Sequence, residues 1–152
     1  MANSVSQVLL TEARLERAAE TAATTAEHVD PSAGAVVDFW GVVRQLEDGR
    51  EIEGIDYESN ESMAKHQMKI IADAATENFR LNQVLLHHRI GFVQAGEASL
   101  FLRVSAQRRT AAFEASKWIV DELKKKVPIW KRPRFKAEQQ RRVSKSEVAT
   151  VK

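Results

Sequence analysis

The order of patterns in this sequence predicts an α+β fold, with helices packed on a largely antiparallel or mixed β-sheet. Three observations carry the prediction. Short β-branched and aromatic runs recur in pairs, and two long stretches repeat apolar residues at helical spacing. No internal repeat and no long apolar span points to another architecture. At 152 residues, one domain with a sizeable core is expected.

The elements follow in order. "SVSQVLL" reads as a short first strand, and "TEARLERAAETAATTAEHV" as an alanine-rich helix with Thr11 as N-cap, ended by "DPSAG". "AVVDFWGVV" has strand composition, and Gly41 marks a bulge or a close backbone approach. Asp48–Gly49 signals a turn before the strand "EIEGIDYES", so these two strands are expected to pair as a hairpin. "NESMAKHQMKIIADAATENFRL" places Ala64, Met68, Ile71, Ala75 and Phe79 on one helical stripe. "QVLLHHRIGFV" and "ASLFLRVSA" are strands on either side of "QAGE". In "RTAAFEASKWIVDELKKK" the stripe is Ala112, Ala115, Ile119 and Leu123, widened by Phe113 and Val120. Lys124, Lys125 and Lys126 fall in the last turn, where cations complement the helix dipole. Pro128 stops this helix and keeps "VPIW" extended. The domain is expected to span residues 1–135, followed by a polar basic tail over 136–152 in which "SEVATV" is a candidate edge strand.

Composition removes several functions. Hydrophobic residues make up 43% of the chain and charged residues 29%, ordinary for a globular protein, and no apolar run approaches the ~18 residues of a membrane span. The N-terminal stretch lacks the basic and apolar regions of a signal peptide, so a cytosolic setting is expected. With no cysteine the chain has no disulfide, thiol nucleophile or zinc–thiolate site, and any sulfur it handles must come from outside. His28 and His66 stand alone on helical stretches. His87 and His88 are neighbours in a strand and point to opposite faces, so they cannot share one metal, and no metal site is expected. Nucleophile-elbow, P-loop and dinucleotide-binding motifs are absent.

The net charge is only +2, but the C-terminal part is basic, which suggests an anionic partner there. Within "LKKKVPIWKRPRF", Lys125 and Lys126 read as solvated helix-end charges, whereas Lys124 follows Leu123 and lies near the apolar stripe. Trp130, between two prolines, is expected to be buried and so to fix Lys131 in the opposite direction. Arg44 ends a strand and Arg108 starts a helix, both common places for anion contacts. Two readings compete. One is an enzyme gathering Arg44, Arg108, Lys124 and Lys131 around a small anion; the other is a nucleic-acid binder with a surface stripe. Aromatic residues at 7% and the small charge excess favour the first.

The fragments "GAVVDFWGVVR", "YESNESMA", "HHRIGFVQAGEASLFLRVSAQRRTAAFEA" and "LKKKVPIWKR" together resemble the large, catalytic subunit family of molybdopterin synthase (MoaE-like), from about Gly34 to Arg132. The motifs are F-x-G-x-V-R, H-R-x-G-x-x-x-x-G-E and L-K-x-x-x-P-x-W-K. The resemblance implies a hammerhead-like α/β arrangement and a sulfurtransferase that converts cyclic pyranopterin monophosphate into molybdopterin. It also implies a homodimer and a small ubiquitin-like sulfur-carrier partner, whose C-terminal Gly-Gly thiocarboxylate donates each sulfur. No resident cofactor or metal is implied, and neither nucleic acid nor membrane is expected as a partner. By motif, Lys124 and Lys131 become the catalytic lysines, and Val42, Val43, Arg44, Gln107, Arg108 and Arg132 line or bind the substrate. Phe39 lies near the partner's tail. Lys124 would stabilise developing negative charge or move a proton.

This chain departs from the family pattern in two places. Gln107 stands where a histidine is usual; glutamine hydrogen-bonds but does not titrate. After Arg132, Pro133 replaces the usual acid and no second Trp-Val strand follows, and no motif aligns Arg141 or Arg142 with the family's cross-protomer arginine. By size alone Met68, Trp118 and Trp130, and also Phe39, read as core residues, while His88 and Arg89 read as structural or interface residues. The alternative reading is a divergent, non-catalytic binder of anions or nucleic acid on the same fold.

Overall fold

The computed structural model describes residues 4–15 and 30–137. In chain order these form β1 (Val5–Thr11), β2 (Ala35–Val42), β3 (Leu46–Glu47), β4 (Arg50–Ser59), α1 (Glu61–Phe79), β5 (Gln83–Arg89), β6 (Gly91–Gln94), β7 (Ala98–Ala106), α2 (Arg109–Lys126) and β8 (Ile129–Phe135). Most of the helix expected over residues 11–29, with His28, lies outside the described residues, as do the tail beyond residue 137, Arg141, Arg142 and "SEVATV".

Two sheets divide the strands. The first has the order β1-β5-β7-β2, parallel between β1 and β5 and antiparallel elsewhere. Both helices cover one of its faces. Ala64, Met68, Ile71 and Ala75 of α1, and Ala112, Ala115, Ile119 and Leu123 of α2, are buried against Val84, Leu86, Leu100, Leu102 and Val104. Those are the stripes the spacing predicts, except that Phe113 points to solvent, 61% exposed. Asn60 caps α1 by accepting from the Met63 amide at 3.2 Å. β7 is buried along its whole length. On the face away from the helices, Leu15 and Leu85 pack on Phe101, and Arg103 forms a two-armed pair with Asp38 at 2.7 and 2.8 Å.

In the second sheet β4 is central and pairs antiparallel with β3, β6 and β8. Its core is small: Val43, Ile52, Ile55 and Val93, with Tyr57, Ala95 and Phe135 against it. The expected hairpin between "AVVDFWGVV" and "EIEGIDYES" does not form, because β2 pairs with β7 and β4 belongs to the other sheet. The hairpin that does form is β3–β4, and its turn residues Asp48 and Gly49 have φ of +51° and +76°, as a tight two-residue turn requires. "QVLLHHRIGFV" likewise splits. Gly91, with φ of +82°, redirects the chain, so β5 stays in the first sheet and β6 joins the second.

Candidate functional site

A cavity of about 650 Å³ lies where the two sheets meet the C-terminal end of α2. Each cationic side chain in its wall is placed by a local feature. At Gly41/Val42 the β2–β7 register shifts, the bulge that Gly41 suggests. Beyond it Val43 is pinned on both sides: its amide donates to the Glu97 carbonyl at 3.0 Å and its carbonyl accepts from the Gly96 amide at 2.8 Å. Arg44 follows directly, in the cavity wall. Lys124 sits one residue past the buried Leu123, and the Val127 amide closes the helix on the Leu123 carbonyl at 3.1 Å. A tight turn, Ile129 amide to Val127 carbonyl at 2.8 Å, then sends the chain into β8. Lys131 pairs in register with Tyr57 of β4.

Among the described residues, neither Arg44 nor Lys124 forms an ion pair. Lys131 forms a loose one, 3.7 Å from the Glu47 carboxylate. Among the described residues the charged lining is thus three cations and one acid. The remaining polar lining is uncharged: Tyr57, His88 and Ser99. The His88 ring packs edge-on to Tyr57 at 5.2 Å, and its Nδ1 lies 2.7 Å from the Arg89 carbonyl. That contact requires Nδ1 to carry the proton and leaves Nε2 as the acceptor. Burial pushes the His88 pKa down, and the Arg89 hydrogen bond opposes this only in part. Burial likewise pushes the Tyr57 hydroxyl up, against a hydrogen bond from Ser99, and the Glu47 charge adds to the rise. Both groups are therefore neutral near pH 7.

Of the residues expected at the site, Phe39, Val42, Val43, Arg44, Lys124 and Lys131 line this one cavity. Gln107, Arg108 and Arg132 do not. Arg108 is the N-cap of α2, and the helix places it about 24 Å from Lys124. Arg132 alternates away from Lys131 and lies 3.4 Å from Glu58 on the exposed side. Trp130 is not buried: it is 59% exposed on the outer face of β8, and the pairing with β4, not a tryptophan anchor, directs Lys131 inward. Of the other bulky residues read as core, Met68 is fully buried, Trp118 is partly buried against Phe79, and Phe39 is 38% exposed at the cavity. His87 and His88 do point to opposite faces, and it is His88 that reaches the cavity, while His87 packs edge-on against Phe101.

Sequence reasoning missed Glu47, Tyr57, His88 and Ser99. His88 and Tyr57 had a signal: strand alternation directs one of the two adjacent histidines to each face, and Tyr57 is the chain's single tyrosine. Among the described residues no three His, Asp or Glu side chains gather as metal ligands, and no helix is long and apolar enough to cross a membrane.

The family model described as MoaE protein matches residues 10–126. The chain belongs to the MoaE family. The matched span includes Phe39, Arg44 and Lys124 and ends before Lys131. A molybdopterin synthase catalytic subunit from Pyrococcus abyssi is 45% identical over 101 residues, 66% of this chain and 68% of that one. The crystal structure of molybdopterin synthase from Staphylococcus aureus superposes with a TM-score of 0.72 at 26% identity, over 87% of this chain and 92% of the other. A chain from a complex of subunits 1 and 2 of the Helicobacter pylori molybdopterin-converting factor shares the fold, with a TM-score of 0.66 at 20% identity over 89% and 91%. The α+β arrangement of this chain is thus that of MoaE proteins.

Proposed function

We propose that this chain is the catalytic subunit of a molybdopterin synthase and works in the cytosol. It takes cyclic pyranopterin monophosphate into the cavity and receives sulfur from the C-terminal thiocarboxylate of a small ubiquitin-like subunit. The observation that carries this reading is the convergence of Arg44, Lys124 and Lys131, from three separate elements, on one cavity. A nucleic-acid stripe would spread those charges over an open face.

The roles follow from position. Arg44 and Lys131 bind the phosphate, as a fork and as a point charge. Val42 and Val43 form the adjoining apolar wall, and Phe39, partly exposed at the rim, meets the Gly-Gly tail. Lys124, held by a helix whose stripe is buried, stabilises the oxyanion of the sulfur-transfer adduct or moves its proton. Each transfer breaks one thiocarboxylate C–S bond and one C–O bond of the substrate, places the sulfur on that substrate carbon, releases the displaced oxygen to the substrate phosphate or as water, and leaves a carboxylate on the tail, with water supplying its oxygen. Gln107 and Arg108 can reach substrate only from a second copy, so their assignment requires the homodimer. The outer edge of β2, where Val36 and Trp40 are exposed, offers an apolar surface for that assembly. Arg132 stays at the rim.

The test is reconstitution: purified chain, thiocarboxylated small subunit and cyclic pyranopterin monophosphate, assayed for dithiolene product. Product is expected. Absence of product together with salt-dependent binding of DNA or RNA would overturn the reading.

A further inference from the structure

Among the described residues Glu47 is the one acid in the cavity lining, and the proposed function gives it no role. Its placement runs against the usual preference. In the two-residue strand β3, Leu46 is 47% exposed while the Glu47 side chain is 20% exposed and faces the cavity. A one-residue change of register would put the leucine inside and the acid in water. The tight Asp48–Gly49 turn and the pairing of Glu47 with Arg50 hold the register that brings the carboxylate in. Once there it lies 3.7 Å from the Lys131 ammonium, too long for a strong hydrogen bond and close enough for an ion pair. Arg44 and Lys124 are the other charges in the same lining, and Tyr57 is near enough to feel the Glu47 charge.

We propose that Glu47 is the cavity's internal counter-anion: it keeps Lys131 turned into the empty site and gives it up only to a phosphate-bearing ligand. The inference rests on the reading of the cavity as an anion site. A carboxylate in that position competes with every entering anion. Singly charged anions gain little by exchanging with it, whereas a phosphate offers more charge and more acceptor oxygens to Lys131 and Arg44 together. Glu47 is thus a specificity-determining residue, raising the threshold for anion entry while keeping the lysine in the site.

The test uses inorganic phosphate as the probe and calorimetry as the readout, with Glu47→Gln, Lys131→Ala and the double variant. Glu47→Gln is expected to tighten the Kd for phosphate about three- to five-fold, the scale of one partly exposed charge pair. In the Lys131→Ala background that gain is expected to vanish. Unchanged or weaker binding in Glu47→Gln, a gain that survives loss of Lys131, or no phosphate binding by the unaltered chain would each overturn the proposal. Dithiolene formation by the unaltered complex, assayed in parallel, reports separately on the underlying function. Product together with a null Glu47 result removes this inference alone.

Discussion

The charged and the neutral residues of the cavity lining are held in different ways. Arg44, Lys124 and Lys131 come from a strand end, a helix end and an edge strand, and they reach the cavity on long side chains. Tyr57 and His88 are held within sheets, Tyr57 directly beside Lys131 and His88 only 7% exposed and tied to the Arg89 carbonyl. The cations carry charge without contributing to the core; the neutral residues carry shape and are continuous with it. Substitutions on the first should therefore change chemistry and leave folding alone, and substitutions on the second should do the reverse.

Lys124→Ala is the strongest test of that division. Lys124 is exposed and has no hydrogen bond or ion pair among the described residues, so its removal leaves no buried group unsatisfied. Turnover of the reconstituted complex is expected to fall by about a hundred-fold or more, the usual cost of losing a group that stabilises developing charge. The urea midpoint should stay where it is. A large fall in the midpoint would show that Lys124 belongs to the core after all.

Among the neutral residues of the lining, Ile55→Ala is expected to cost about 2–5 kcal/mol by urea denaturation, because Ile55 is 4% exposed and packs with Val43, Ile52 and Val93. That small core has few residues to collapse into the space. Turnover per folded molecule should fall far less than in Lys124→Ala. If it falls as much, the neutral lining takes part in the chemistry and the division fails.

Acid offers a finer probe. His87 and His88 are both pushed below their ordinary value of 6.5, by burial first in each case. Just below that value the unfolded chain takes up protons that the folded chain refuses. Stability is therefore expected to fall as pH drops below about 6.5 and to level off beneath the folded-state values. Thermal melts from pH 8 to 5 would record the slope, and His88→Gln should reduce it. An equal slope in that variant would assign the whole effect to His87, on the far face of the first sheet.

What the sequence discloses about this site follows from how local each feature is. The helix stripes, the Gly41 bulge and the stop at Pro128 depend on neighbouring residues, and they put Lys124 in the last turn of α2, where it lines the cavity. Strand partners depend on residues far apart in the chain, so β2 looks like the natural partner of β4 although the structure pairs it with β7. Trp130 fails for a related reason. Its size favours burial, but its strand is joined only to β4 and nothing among the described residues covers its outer face. Alternation separates His87 from His88 without saying which face fronts a cavity. Arg108 matches a family motif, yet a motif carries no distance, and the length of α2 removes it from its own chain's site.

The smallest expected effect tests the charge run itself. Lys126 belongs to the same basic stretch as Lys124 and lies two residues away, but its Nζ is turned back 2.7 Å from Glu122, and it is 58% exposed whereas the Glu122 side chain is 13% exposed. Such an i, i+4 pair is worth about 0.2–0.5 kcal/mol and is screened by salt. The order here, acid before base, suits the helix dipole. Lys126→Ala should therefore lower stability by no more than that amount and leave turnover unchanged. A turnover loss approaching that of Lys124→Ala would mean that the cavity responds to the summed charge of the helix end and not to one placed ammonium. Because the two residues differ in direction and hardly in sequence context, comparing them separates position from charge density.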